Sequence, residues 1–156
     1  MAVVTTNTNE YLEELRKQIE LLDSVRVCEL YGGELDVDDV DKLKVDLRVA
    51  GKCHTFIDLA AIKYEKDKVH GQIFANMEIQ VYVLGVFDRT SKGHSLDCSN
   101  CVEDIMEMIN CNADKILRPQ PGFTNLGAAG QLANAIRKNQ RFSIWYTNFN
   151  QRIRIK

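Results

Sequence analysis

Apolar residues along this chain switch repeatedly between a helical and an extended period. Between Asn9 and Asp23, Leu12, Leu15, Ile19 and Leu22 recur at helical spacing while Glu, Lys and Arg fill the other faces, which predicts an amphipathic surface helix. Val25 to Leu30 reads as a short strand, broken by Gly32-Gly33. Within Glu34 to Arg48, Val37, Val40, Leu43 and Leu47 step by three or four, predicting a short acidic helix with Asp36 and Asp38 near its positive end.

After Gly51 the period becomes two. Cys53, Thr55, Ile57, Leu59 and Ala61 oppose His54, Phe56, Asp58, Ala60, Ile62 and Tyr64, a strand that is apolar on much of both faces. Glu65 to Gly71 reads as its turn. The row Ile73, Ala75, Met77, Ile79, Val81 and Val83 then marks the strand expected at the centre of the sheet, long enough for part of it to project beyond the core as an assembly contact. Ser95 or Asp97 is placed to cap a helix ending near Asn110, with Cys98, Cys101, Val102, Ile105, Met108 and Ile109 on its inward stripe.

Arg141 to Ile155 reads as a closing strand whose apolar parity changes midway. Phe142 and Ile144 share one face and Trp145, Thr147, Phe149, Ile153 and Ile155 the other, so a bulge near Ile144 to Tyr146 is expected. From 112 to 139, Pro119, Pro121, Gly122 and Gly127-Ala128-Ala129-Gly130 interrupt any regular pattern, although Leu132 to Lys138 is compatible with a helical turn or a strand. A connection of that length in a compact domain predicts a contact loop, against an excursion that packs on its own sheet.

The 156 residues, 45% hydrophobic, suffice for one core, so a single domain over residues 1–156 is expected. No apolar run is long enough to span a bilayer, and Met1 to Asn9 lacks the pattern of a signal peptide, so no membrane association or secretion is expected. The five cysteines are odd in number and sparse, which predicts free thiols and assembly in a reducing cytoplasm.

Charge adds what the near-neutral total of −2 conceals. Met1 to Arg48 holds twelve acids against six bases, whereas Ala113 to Lys156 holds eight bases against Asp114 alone. Oppositely charged ends suit a subunit that docks on copies of itself or on layered neighbours. The candidate contact residues are Glu34, Asp36, Asp38, Asp39 and Asp41 on the acidic side, and Arg137, Lys138, Arg141, Arg152 and Arg154 on the basic side.

Enzyme and cofactor signatures fail. Cys98-Ser99-Asn100-Cys101 has redox or zinc-pair spacing, with His94 and Cys111 nearby, but the pair lies on the apolar stripe of an amphipathic helix, where thiols act as small hydrophobes. Neither Gly32-Gly33 nor Gly127 to Gly130 matches a phosphate-binding or dinucleotide fingerprint. His54, His70 and His94 are scattered, each expected at the surface or in a turn. Basic and aromatic residues of the closing strand, Arg141, Phe142, Trp145, Tyr146, Phe149, Arg152 and Arg154, are explained by strand packing before nucleic-acid binding is needed. No catalytic residue, metal or cofactor is expected.

The order of elements, ending in the closing strand with Ile144-Trp145-Tyr146-Thr147, resembles the tail proteins of Mu-like contractile phages, and is similar to tail terminators. The resemblance covers most of the chain and departs from the family pattern in the five cysteines and over Asn112 to Lys138. It implies an α+β fold with an antiparallel or mixed sheet of about four strands and helices packed on one face. It further implies a virion protein at the head–tail junction, forming a ring, commonly a hexamer. Such a ring caps the tail tube, meets head connector proteins, with sheath proteins as further candidate partners, and tolerates non-specific contact with passing DNA. Within that class the alternative is a head–tail connector or tail-tube component; outside it, a cytoplasmic zinc- or nucleic-acid-binding regulator.

Overall fold

The computed structural model describes residues 7–32, 52–86, 96–112, 124–137 and 140–155. Two helices, α1 (Thr8–Glu20) and α2 (Leu96–Asn112), accompany five strands: β1 (Val25–Leu30), β2 (Cys53–Lys66), β3 (Ile73–Val86), β4 (Thr124–Arg137) and β5 (Gln140–Arg154). The strands form one sheet in the order β1-β2-β3-β5-β4. β1 runs parallel to β2 and every other neighbour is antiparallel, so the fold is α+β with a mixed sheet.

Local chemistry sets the first helix. The Asn7 side chain accepts from the Glu10 N–H at 2.8 Å, satisfying one backbone donor that the helix leaves open, and its amide donates to Glu10 Oε1 at 3.0 Å. Tyr11, Leu12, Leu15 and Ile19 then face the core, while Arg16 pairs with Glu13 and Glu20 on the wet side. The apolar row Ala75, Met77, Ile79, Val81 and Val83 meets these residues and the α2 stripe Cys98, Cys101, Val102, Ile105, Met108 and Ile109 in one cluster. Both helices therefore cover the same sheet face.

The opposite face carries a second buried group towards one end. Leu84 lies in register with His54 and Ile144, and Tyr82 with Phe56. These residues and Phe142 are all buried. Their burial explains the parity change in the closing strand. Phe142 and Ile144 belong to this second face, whereas Trp145, Thr147, Phe149 and Ile153 continue the helix-covered face. No bulge interrupts β5 against β3; the irregularities fall in β4, between Leu126 and Ala129 and between Gln131 and Ala133.

The contact loop expected from 112 to 139 gives way, over its described part, to the alternative of an excursion packed on its own sheet, because Asn112 closes α2 and Thr124–Arg137 is a strand paired with β5 from Gln140 to Gln151. Small side chains hide it. Gly127 and Gly130 carry no β signal, and the two register shifts disrupt alternation. A Cβ at Gly127 would run into the Asn148 side chain, whose amide would have to turn aside. The projection expected for the β3 end is also reassigned. Phe74, Ala75 and Met77 are buried, whereas Ala60, Ala61 and Lys63 to Lys66 of β2 are exposed.

Candidate functional site

Five of the ten candidate contact residues, Glu34, Asp36, Asp38, Asp39 and Asp41, lie outside the described residues, as does Lys138. The remaining four do not form one patch. Arg137 lies opposite Gln140, and Arg141 opposite Ile136, where β5 begins, whereas Arg152 and Arg154 lie opposite Asn76 and Phe74 at the far end of β5. Arg154 lies about 43 Å along the extended strand from Arg141, at roughly 3.3 Å per residue step. The basic tail of the sequence is thus divided between two ends of one strand.

Arg152 is also engaged within its own sheet. Its guanidinium carbon sits 4.1 Å from the centroid of the Phe74 ring, and its Nη2 is 3.9 Å from Glu65 Oε2. Around it, Ala61, Lys63, Asn76, Glu78 and Asn150 line a depression of about 320 Å³ on the sheet face away from the helices. Asn76, Glu78, Asn148 and Asn150 make this part of the face polar.

The features that sequence reasoning did not isolate are the two sheet edges. β1 pairs with β2 only from Cys53 to Ile57, and the Tyr31 N–H extends that contact to the Ile57 carbonyl at 2.8 Å. From Leu59 to Lys66, no strand among the described residues pairs with the outer side of β2. On the other side of the sheet, β4 has β5 as its one strand neighbour among the described residues. Each edge exposes a large apolar side chain, Tyr64 at 58% on β2 and Leu132 at 48% on β4.

The cysteines gather in the core. Cys98 and Cys101 face the sheet as the stripe predicted, and Cys53 and Cys28 join them from β2 and β1; all four are buried free thiols. Cys53 Sγ lies 4.0 Å from Cys98 Sγ, and Cys98 Sγ lies 3.7 Å from the Ser143 carbonyl oxygen. Hydrogen bonding to Cys101 and Cys98, with burial, pushes the Cys53 thiol far above its ordinary range. Burial pushes Cys28 up to about 12. Among the described residues, no group of three or more His, Cys, Asp or Glu side chains is placed to hold a metal ion.

The histidine expectation needs correction for one position. His54 is buried within β2, stacked on Phe56 at 4.6 Å between centroids, with Nε2 3.0 Å from Glu29 Oε2. Its neighbours in the register explain this, because Leu84 and Ile144 continue its row across the sheet. His70 is exposed in the β2–β3 turn, and His94 lies outside the described residues. No described helix is long and apolar enough to cross a membrane.

No protein-family model matches the chain, and no curated protein matches it.

Proposed function

We propose that this chain is a non-enzymatic structural subunit of a contractile-phage virion, a tail terminator that forms a ring capping the tail tube and meeting the head connector. The observation that carries the reading is the pair of edges, on opposite sides of one sheet, that no further strand among the described residues covers. β4 runs antiparallel to β2, because β2 and β5 are each antiparallel to β3 and β4 is antiparallel to β5. The β4 edge of one copy therefore meets the outer β2 edge of the next with the polarity of an ordinary antiparallel ladder.

Such a contact joins two different surfaces, so repeating it with a fixed rotation closes a ring. Natural monomers protect long sheet edges. Here Lys63 and Lys66 oppose promiscuous pairing at the β2 edge, and the β4 register shifts do so on the other side. The charge asymmetry of the sequence supports orientation of the ring between its neighbours, with Asp38 and Asp39 as the acidic determinants.

The test is location. Purified protein added to tails lacking it is expected to bind only the head-proximal end of the tube, seen by immunogold labelling. Labelling along the tube would favour a tube component, and labelling of isolated heads a connector. Lys in place of Asp38 and Asp39 is expected to weaken this binding while leaving the subunit folded.

A further inference from the structure

We propose that Cys53 and Cys98 form a modification site: a small peroxide closes them into a disulfide that ties α2 to β2. Three independent placements lead there. Cys53 is the first residue of β2, Cys98 lies in the first turn of α2, and their sulfurs approach to 4.0 Å inside the core. Gly85, between them on β3, provides the room. A Cβ at Gly85 would stand 2.6 Å from Cys98 Sγ and 3.0 Å from Cys53 Sγ. Any other residue there would push the sulfurs aside, and glycine inside a long central strand is otherwise a cost.

A disulfide requires a sulfur separation of about 2.05 Å, so the remaining approach of about 2 Å is on the scale of a side-chain rotation. Cys28 is a poorer partner, held on the edge strand β1. Cys101 lies in the same cluster, also interacts with Cys53 and competes for it, so the assignment to Cys98 rests on the 4.0 Å approach together with Gly85, whose open side faces the Cys98 and Cys53 sulfurs.

The chemistry balances with hydrogen peroxide as the oxidant. One thiol sulfur attacks the peroxide, an S–O bond forms, the O–O bond breaks, and water leaves. The second thiol attacks the resulting sulfenic sulfur, the S–S bond forms, the S–O bond breaks, and a second water leaves. The two sulfurs supply the two electrons that reduce the peroxide. Because the closed core keeps these thiols protonated and out of contact with solvent, the reaction waits on local opening of α2 and is slow. The proposal holds whether or not the chain assembles into rings.

The experiment treats the folded full chain with hydrogen peroxide, then maps thiols by denaturation, alkylation and non-reducing digestion with mass spectrometry. The expected result is a loss of about two mass units, with a cross-link assigned by fragmentation to Cys53 and Cys98. The oxidised protein is expected to melt about 10 °C higher than the reduced one. Both changes disappear in Cys53→Ser and persist in Cys101→Ser. A link confined to Cys98 and Cys101, a link that survives Cys98→Ser, or thiols that remain free while methionines oxidise would overturn the proposal and leave the four cysteines as packing alone. If Cys53→Ser does not fold, the wild-type map and Cys101→Ser decide.

Discussion

The Tyr11 hydroxyl donates a 3.2 Å hydrogen bond to Gln151 Oε1, joining the first helix to the last strand beneath the core surface. Both side chains are buried, and the Gln151 amide also donates to the Arg152 carbonyl at 3.0 Å. Tyr11→Phe keeps the ring and removes one partner from a buried acceptor, which costs about 1–3 kcal/mol. Urea denaturation is expected to show a lower midpoint with an unchanged slope, since the surface exposed on unfolding stays the same.

Gly85 tests the packing around the sulfurs. Gly85→Ala places a methyl group against Cys98 Sγ and Cys53 Sγ, and overpacking of this kind costs about 1–3 kcal/mol. Cys98→Ala removes the nearer obstacle. In a double-mutant cycle the two substitutions together are expected to cost less than the sum of each alone, whereas additivity would mean the strand and the sulfurs are not in contact.

The same residues show what the sequence could and could not reveal. The helix-facing row of β3 and the α2 stripe were legible because each is an unbroken period on one face, Ala75 to Val83 and Cys98 to Ile109. β4 was not, because Gly127, Gly130 and two register shifts erase its alternation, and only β5 beside it makes it a strand. The closing strand's parity change was visible, but its cause was not. Phe142 and Ile144 are buried by long-range alignment with Leu84 and His54, which no local period encodes. Likewise, spacing displayed Cys98 with Cys101 but not the arrival of Cys53 from β2. The basic residues of the tail formed a cluster in sequence that an extended strand pulls apart in space.

Alkaline pH is expected to destabilise the reduced protein through its buried thiols. The folded pKa of Cys28 is raised to about 12, and that of Cys53 is raised as well, so both stay protonated in the folded state after unfolded thiols ionise near pH 8.5. Their contribution is fully present below that pH. As pH rises, the unfolded state binds fewer protons and stability falls by about 1.4 kcal/mol per pH unit for each thiol. Cys28→Ala is expected to remove one thiol's share of that slope between about pH 9 and 11, measured by urea denaturation with reductant present.

Arg152 anchors the far end of β5 through Phe74 more than through Glu65. The 3.9 Å ion pair is partly solvated, with Glu65 49% exposed, so screening leaves it little value. The stacked guanidinium contributes about 0.5–1 kcal/mol. Arg152→Ala is therefore expected to lower stability by about that amount, and Glu65→Gln to change it by less than about 0.5 kcal/mol in thermal denaturation. A larger effect of Glu65→Gln would reverse the ranking.

The assembly reading depends on the outer edges of β2 and β4, unpaired by any other strand among the described residues, acting together. Tyr64 and Leu132 are exposed, so Tyr64→Asp and Leu132→Asp leave the core intact while placing charge on opposite edges. Sedimentation velocity with negative-stain electron microscopy is the most direct measurement. Wild-type protein is expected to form closed rings of several copies at the tail end or alone, and either substitution to yield folded monomers. A wild-type chain that stays monomeric at every concentration and with tail tubes present, or rings that both variants form unchanged, would contradict the account.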